Sequence, residues 1–394
     1  AQAVEPGAAG VLWRAEADAL LAAGDSIAAA RTFARLREGE AGERRATATV
    51  ELGRLTIAAA DSARGRALLT EGFESSEGGA RTRAAASLLD LGRHDFSRTL
   101  ELAQVLDRAG DGSRALRGYD RAMTLASEEG VAFPERSRLE RARIMSTVRS
   151  RQDEALAEFR AIRESTEDDR IGARNLQVWA TMRARQDLSA QVATLRRWLL
   201  EDYPSSNEAA EVAWILGANA EGRGDLDGAL ARYAFLAENV RTHARAGQAR
   251  MRSGQIHLRR GNQAAAAEVY EQYLVDFPDG RRWQEAAYWA GRTRLEMGDT
   301  AAGEAHLRHV LTQPIEYYAV MAAELLGESF DVNLPEGEHS TEPGWLTEGL
   351  GRLDLLTEAG LERGAETEVR RLRDRAGAER GPRLRLAEAL IERG

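Results

Sequence analysis

Small, apolar and aromatic residues recur along this chain at fixed offsets from a turn dipeptide. Gly261-Asn262 is followed by Ala266 at +5, Tyr270 at +9, Tyr273 at +12 and Pro278 at +17. The same offsets from Gly224 give Ala229, Tyr233 and Leu236, and from Gly110 they give Ala115, Tyr119 and Ala122. From Gly24 they give Ala29, Phe33 and Leu36, and from Gly298 they give Gly303, Leu307 and Val310. Weaker copies are anchored at Ser150 (Ala155, Phe159, Ile162) and Asp187 (Val192, Leu199, Pro204). The anchors at 150, 187, 224, 261 and 298 stand 37 residues apart. Seven residues before three of them lie Gly217, Gly254 and Gly291, with Ala180 and Ala103 in that place for two others.

These offsets are those of a helical hairpin. A glycine accepts the positive φ that closes one helix, and the Asp or Asn after it caps the next. Small residues at −7 and +5 let the two helices approach, and the aromatics at +9 are expected to fill the space between hairpins. Proline at +17 ends the second helix. Leu55 to Gly72 fits a further copy with Gly65 and Leu69 at +5 and +9, and Glu74 to Gly79 reads as an inter-helix loop. The pattern resembles the tetratricopeptide repeat, lengthened from its usual period of about 34 residues. That resemblance implies an all-α fold: a right-handed superhelix of tetratricopeptide-like hairpins with a concave face, followed by a small C-terminal helical group. The expected layout is a flexible tail over 1–10, the superhelix over 11–329, a linker loop over 330–344 and the helical group over 345–394. About 20 helices are expected from residue 11 to 312. A helix over 315–327 should present Tyr318, Met321, Ala322 and Leu325 as one buried face.

Beyond the last copy, the residues Pro314, Tyr317-Tyr318, Ala322-Ala323 and Leu326-Gly327 form a recognisable series. With Tyr288-Trp289-Ala290-Gly291-Arg292 before it and Leu355 to Leu361 after it, the stretch resembles the superhelix and linker of periplasmic soluble lytic transglycosylases. The likeness covers roughly residues 205 to 375. It implies the non-catalytic superhelical module of an exported protein of the periplasm or cell envelope, with peptidoglycan strands or envelope proteins as partners. The start Ala1-Gln2-Ala3-Val4, without Met or an apolar segment, reads as an end left by signal-peptide cleavage. Catalytic domains of that family carry a Glu-Ser pair and then Gly-Leu-Met-Gln. Glu328-Ser329-Phe330 mimics the pair, but no Gly-Leu-Met-Gln follows, so no catalytic acid is assigned. The alternative is an exported repeat scaffold that binds protein partners or self-assembles. The two readings differ in whether glycan or protein occupies the groove.

Composition narrows the chemistry. Of 394 residues 43% are hydrophobic and 30% charged, enough apolar chain for a sizeable core. All 54 basic residues are arginine, which excludes Schiff-base and phosphate-loop lysines. The absence of cysteine excludes disulfides and thiolate sites. A net charge of −9 and arginine clusters without interleaved aromatics argue against nucleic acid as a partner. The clusters over 136–151 and 370–375 alternate with acids and read as solvated helix faces. His306 and His309 share a helix face, but two imidazoles with Glu304 nearby do not make a metal site, so no metal or cofactor is expected. Trp198, Trp283 and Trp345, which the repeat register explains less well, and Tyr317 are the candidate groove contacts.

Overall fold

The computed structural model describes residues 6–312, 317–328, 344–358, 362–377, 380–391 and 393. Pro314, the expected linker loop up to residue 343 and residues 359–361 of the Leu355–Leu361 segment lie outside them. All regular structure among the described residues is helical. Contacts divide the chain into two compact units, Ala1–His306 and Leu307–Gly394, an earlier division than the one expected at 329.

The first unit holds α1 (Pro6–Ala22), α2 (Ser26–Gly39), α3 (Gly42–Ala58), α4 (Ser62–Glu74), α5 (Gly79–Leu91), α6 (Phe96–Arg108), α7 (Gly112–Glu129) and α8 (Glu135–Met145). It continues with α9 (Gln152–Ser165), α10 (Asp169–Arg185), α11 (Ser189–Asp202), α12 (Asn207–Gly222), α13 (Leu226–Asn239), α14 (Ala244–Arg259), α15 (Gln263–Asp276) and α16 (Trp283–Glu296), and α17 (Thr300–Leu311) crosses the division. Seventeen helices thus stand where about twenty were expected, and residues 6–10 of the expected tail are helical.

One turn design joins the two helices of a hairpin. The anchor glycines 24, 110, 224, 261 and 298 have φ between +71° and +82°. At Gly224 the amide bonds to the Glu221 carbonyl (3.0 Å) and the next amide, of Asp225, to the Ala220 carbonyl (2.9 Å). The Asp225 side chain then accepts the Gly228 N–H at 2.9 Å. The same dipeptide therefore closes the first helix in a left-handed cap and opens the second with a side-chain cap. Ala60 (φ 68°) and Asp187 (φ 57°) adopt the same left-handed turn without glycine. The weak anchor at Ser150 differs: α8 stops early and a single 3-10 turn, Arg149–Arg151, leads into α9. Between the anchors at 60 and 110 lie 50 residues instead of about 37, and the excess forms α5, whose turn to α6 has Gly92 (φ 63°) and the capping Asp95 three residues apart instead of adjacent. Helices α11 and α15 end two residues ahead of Pro204 and Pro278, as expected.

The residue at +9 plugs seven of the eight hairpins. Phe33, Leu69, Tyr119, Phe159, Tyr233, Tyr270 and Leu307 are all at most 1% exposed. Gly217 is bare so that Tyr233 can lie on its backbone: a Cβ there would stand 2.7 Å from the ring, and one at Gly254 2.5 Å from Tyr270. The plug thus packs inside its own hairpin, not only between hairpins as expected. Tyr270 does both, stacking on Trp289 of α16 at 6.4 Å. Such a ring, truncated to Ala, removes about 3–5 kcal/mol of stability.

In the second unit α18 (Tyr317–Leu326) buries Ala319, Ala322 and Ala323. Leu325 is 42% exposed, so the expected face is corrected: three alanines at i, i+3 and i+4 offer the closer approach. Helices α19 (Gly344–Glu358), α20 (Glu362–Ala376) and α21 (Arg380–Ile391) share a core of Leu346, Leu350, Leu353, Leu372 and Leu386.

The turn design predicts opposite signs for two exchanges. At Gly224 no atom lies within 4 Å of a new Cβ, so Gly224→Ala should cost only the left-handed backbone, about 1 kcal/mol. Ala60→Gly should instead stabilise by about 0.5 kcal/mol, as relief of the left-handed strain outweighs the added chain entropy. Urea midpoints of the two variants check both.

Candidate functional site

The four candidate groove residues lie on four helices, two in each unit. Trp198 on α11 is half-buried, tilted against Trp179 at 6.4 Å, with the Arg163 guanidinium 3.6 Å from its ring centroid. Trp283 begins α16 and is half-buried. Trp345 packs on the α19–α21 core with Arg375 5.4 Å over its ring. Tyr317 is 68% exposed and meets Tyr318 edge-on at 5.2 Å. Glu328 lies 3.6 Å from the Arg308 guanidinium on the surface. His306 Nε2 is 3.3 Å from Glu271, a carboxylate Arg294 already holds at 2.6 Å. Among the described residues no group of three or more His, Asp or Glu is placed to hold a metal, and no helix is long and apolar enough to cross a membrane.

The concave chemistry lies elsewhere. The first helices of successive hairpins touch: α8 meets α10, α10 meets α12 and α12 meets α14. On this face α6, α8 and α10 border a cavity of about 450 Å³, and α5 and α6 border one of about 480 Å³, with Arg108 on the wall of both. The floor of the first is built by Tyr119 at the +9 position of its hairpin. Its hydroxyl donates to Asp107 Oδ2 at 3.2 Å. Burial and the Asp107 charge push the phenol well up from its ordinary value, so it stays a donor. Asp107 also takes the Arg143 guanidinium, whose Nε donates to Glu140 at 2.5 Å. Both carboxylates of the cavity are thereby occupied.

Three guanidiniums on its rim are not. Arg136 makes no hydrogen bond or ion pair among the described residues. Arg108 donates to its own helix at the Gln104 carbonyl, and Arg174 to the neutral Gln177 side chain. Arg108, Arg136 and Arg174 are exposed, and none has a carboxylate partner. The face therefore presents fixed positive charge over a floor that cannot neutralise it.

Behind the cavity, Arg141 of α8 is 8% exposed and spans the Asp120 carboxylate of α7 (2.7 Å) and Glu154 of α9 (2.5 Å). Arg151 closes the ring onto Asp120 at 2.6 Å. The arginine cluster over 136–151, read from sequence as a solvated face, is at Arg141 a buried clasp between three helices. A buried guanidinium is stable only when paired in this way.

This clasp fixes a pH dependence. Burial works against the Glu154 charge, but Arg151 and Arg141 outweigh it and hold the carboxyl below its ordinary 4.5. A carboxyl lowered by folding contributes stability above its unfolded value, and loses it as pH falls through the folded value. The urea midpoint should therefore fall on acidification below about pH 4.5, and Glu154→Gln should flatten that slope while lowering the midpoint at pH 7.

Sequence reasoning missed one residue here that a signal marks. Arg196 holds the +9 place after the Asp187 anchor, where the seven other copies bury Phe, Tyr or Leu.

No protein-family model matches the sequence, and no curated protein does. Among solved structures the chain is similar to YrrB, a tetratricopeptide repeat protein described as having an unusual peptide-binding site, at 20% identity over 50% of this chain and 94% of that one (TM-score 0.28). It is similar to a tetratricopeptide repeat protein from Parabacteroides merdae at 14% identity over 81% and 97% of the two chains (TM-score 0.26). A third is the C-terminal part of a tetratricopeptide-repeat protein from Cytophaga hutchinsonii, at 12% identity over 79% and 98% (TM-score 0.27). The chain's own capped turns and plugged hairpins make it a tetratricopeptide-like helical repeat.

Proposed function

We propose that this chain is an interaction scaffold that holds an acidic segment of a protein partner along the first-helix face of α6, α8 and α10. The observation that supports it is the trio Arg108, Arg136 and Arg174, placed around a cavity whose own carboxylates are already held by Arg143. Guanidiniums on rigid helices recognise carboxylates with little reorganisation, and rim charges of this kind act mainly on association and specificity. A net charge of −9 works against a nucleic-acid partner.

The finer reading, a peptidoglycan-associated module of an exported, lytic transglycosylase-like protein, is supported by the likeness around Tyr317-Tyr318 and Leu326-Gly327 alone. One experiment separates the two. A labelled peptide of alternating Glu and Leu is titrated by anisotropy, and the protein is separately spun with purified cell-wall sacculi. The scaffold reading expects saturable peptide binding that weakens with salt and drops about tenfold or more in the Arg136→Glu, Arg174→Glu double variant. Equal binding by that variant overturns it. Co-sedimentation with sacculi, lost in the same variant, would move the partner from protein to glycan.

A further inference from the structure

The hairpin α10–α11 is built on the same plan as its neighbours, with one exchange. Helix α11 spans residues 189–202, and α13 and α15 repeat it at intervals of 37. The +9 side chain that is buried as Tyr233 in α13 and Tyr270 in α15 is Arg196 in α11. Where the plug is missing the structure has a cavity of about 720 Å³. It is lined mainly by α11, with Ala184 of α10, Leu216 of α12 and Arg232 of α13, and shares no residue with the cavity of α6, α8 and α10 described above. Its apolar wall is formed by Val192, Leu200 and Leu216.

Arg196, Arg197 and Arg232 line this cavity, and none of the three makes a hydrogen bond or ion pair among the described residues. Elsewhere arginines bridge neighbouring helices, as Arg163 does to Asp202 (3.0 Å) and Arg260 to Asp227 (2.7 Å). Glu201 and Asp187 also line the cavity, and neither comes within salt-bridge distance of the three guanidiniums. A recess of this size, with an apolar wall and three unpaired guanidiniums against two carboxylates, is complementary to one chemistry. That is a large apolar side chain flanked by carboxylates.

We infer that the α11–α13 cleft is a second docking site, for an acidic segment of a protein partner that inserts an aromatic side chain where the hairpin's own plug is absent. The inserted ring meets Val192, Leu200 and Leu216, and the flanking carboxylates pair with Arg196, Arg197 and Arg232. This inference rests on the scaffold reading but uses a different cavity, so the two fail separately. A nucleic acid is the less suitable occupant: the aromatics of α10 and α11 nearest in sequence, Trp179 and Trp198, are tilted against each other, with Arg163 over Trp198, and neither lines the cleft.

The test uses the whole chain and a labelled peptide with a central Phe between pairs of Glu, measured by anisotropy. The repeat itself supplies the blocking variant. In the hairpins with Ala17 and Ala103 at −7, as Ala180 is here, the plugs Phe33 and Tyr119 fit and are buried, so Arg196→Phe should fit as well. It should raise the urea midpoint, showing that the cleft has been filled, and weaken the peptide at least tenfold. Arg232→Glu should weaken it by a similar factor without changing the urea midpoint much. Replacing the peptide's Phe by Ala, or its Glu by Gln, should weaken binding to the wild type, and Arg136→Glu with Arg174→Glu should leave it unchanged. The inference is overturned if the wild type does not bind, or if Arg196→Phe raises stability and binds as before. It is also overturned if a single-stranded oligonucleotide binds in the peptide's place, or if sedimentation shows that the wild type self-associates and Arg196→Phe does not.

Discussion

Most hairpins of this molecule depend on one close approach: a side chain nine residues past the turn laid against a small residue seven before it. Tyr233 on Gly217 and Tyr270 on Gly254 leave no room for a single added methyl group. The left-handed turn fixes the angle at which the two helices leave it, and the plug fixes their distance. Once both are set, Ala229 and Ala266 are fully buried at the crossings. In a repeat array the stability of one hairpin reaches only its neighbours. A single unplugged hairpin is therefore tolerated.

Charge does a second job in the same geometry. With no lysine, the ion pairs are made by guanidiniums, whose fork can hold two carboxylates at once, as Arg141 and Arg151 do. Many pairs join residues about one repeat apart: Arg37 to Glu71 at 2.8 Å and Arg252 to Glu221 at 2.9 Å. Exposed pairs of this kind are worth about 0.2–1 kcal/mol each, too little to hold the stack together, but they fix which faces remain charged. Among the arginines left out of that lattice are Arg108, Arg136 and Arg174 at one cavity and Arg196, Arg197 and Arg232 at another.

The repeat was legible in the sequence because its signals are chemically strict. Only a few residues accept a left-handed turn, and only small ones accept a ring on their backbone. The turns at Ala60 and Asp187 show where the first rule bends, and the 3-10 turn at Arg149–Arg151 shows where a serine anchor fails to provide it. The extra helix α5 was hidden because it lengthens one interval without adding a turn dipeptide. The sites were less legible. A tryptophan outside the repeat register marks a candidate groove contact without saying what covers it: Trp198 and Trp345 are half-buried under arginines. Charge clusters in sequence say nothing of which guanidiniums find partners, since Arg141 becomes a buried clasp while Arg136, on the same helix, stays free. Arg196 was readable, as the polar residue in a place that is otherwise apolar, but its meaning needed the cavity.

The α10–α11 hairpin also shows how a repeat can lose its plug and remain folded. Its contacts with the preceding hairpin are unusually aromatic: Phe159 stacks on Trp179 at 6.3 Å, Trp179 meets Trp198, and Arg163 covers Trp198. Ring pairs and a guanidinium over an indole together offer about the stabilisation of one core ring. These contacts all lie toward α9, whereas the side toward α13 has Arg196 and Arg232 instead. The hairpin packs on both neighbours, with its aromatic contacts toward α9 and its cleft toward α13. In a repeat array each hairpin is held by the ones beside it, so contacts on one side can offset a cavity on the other.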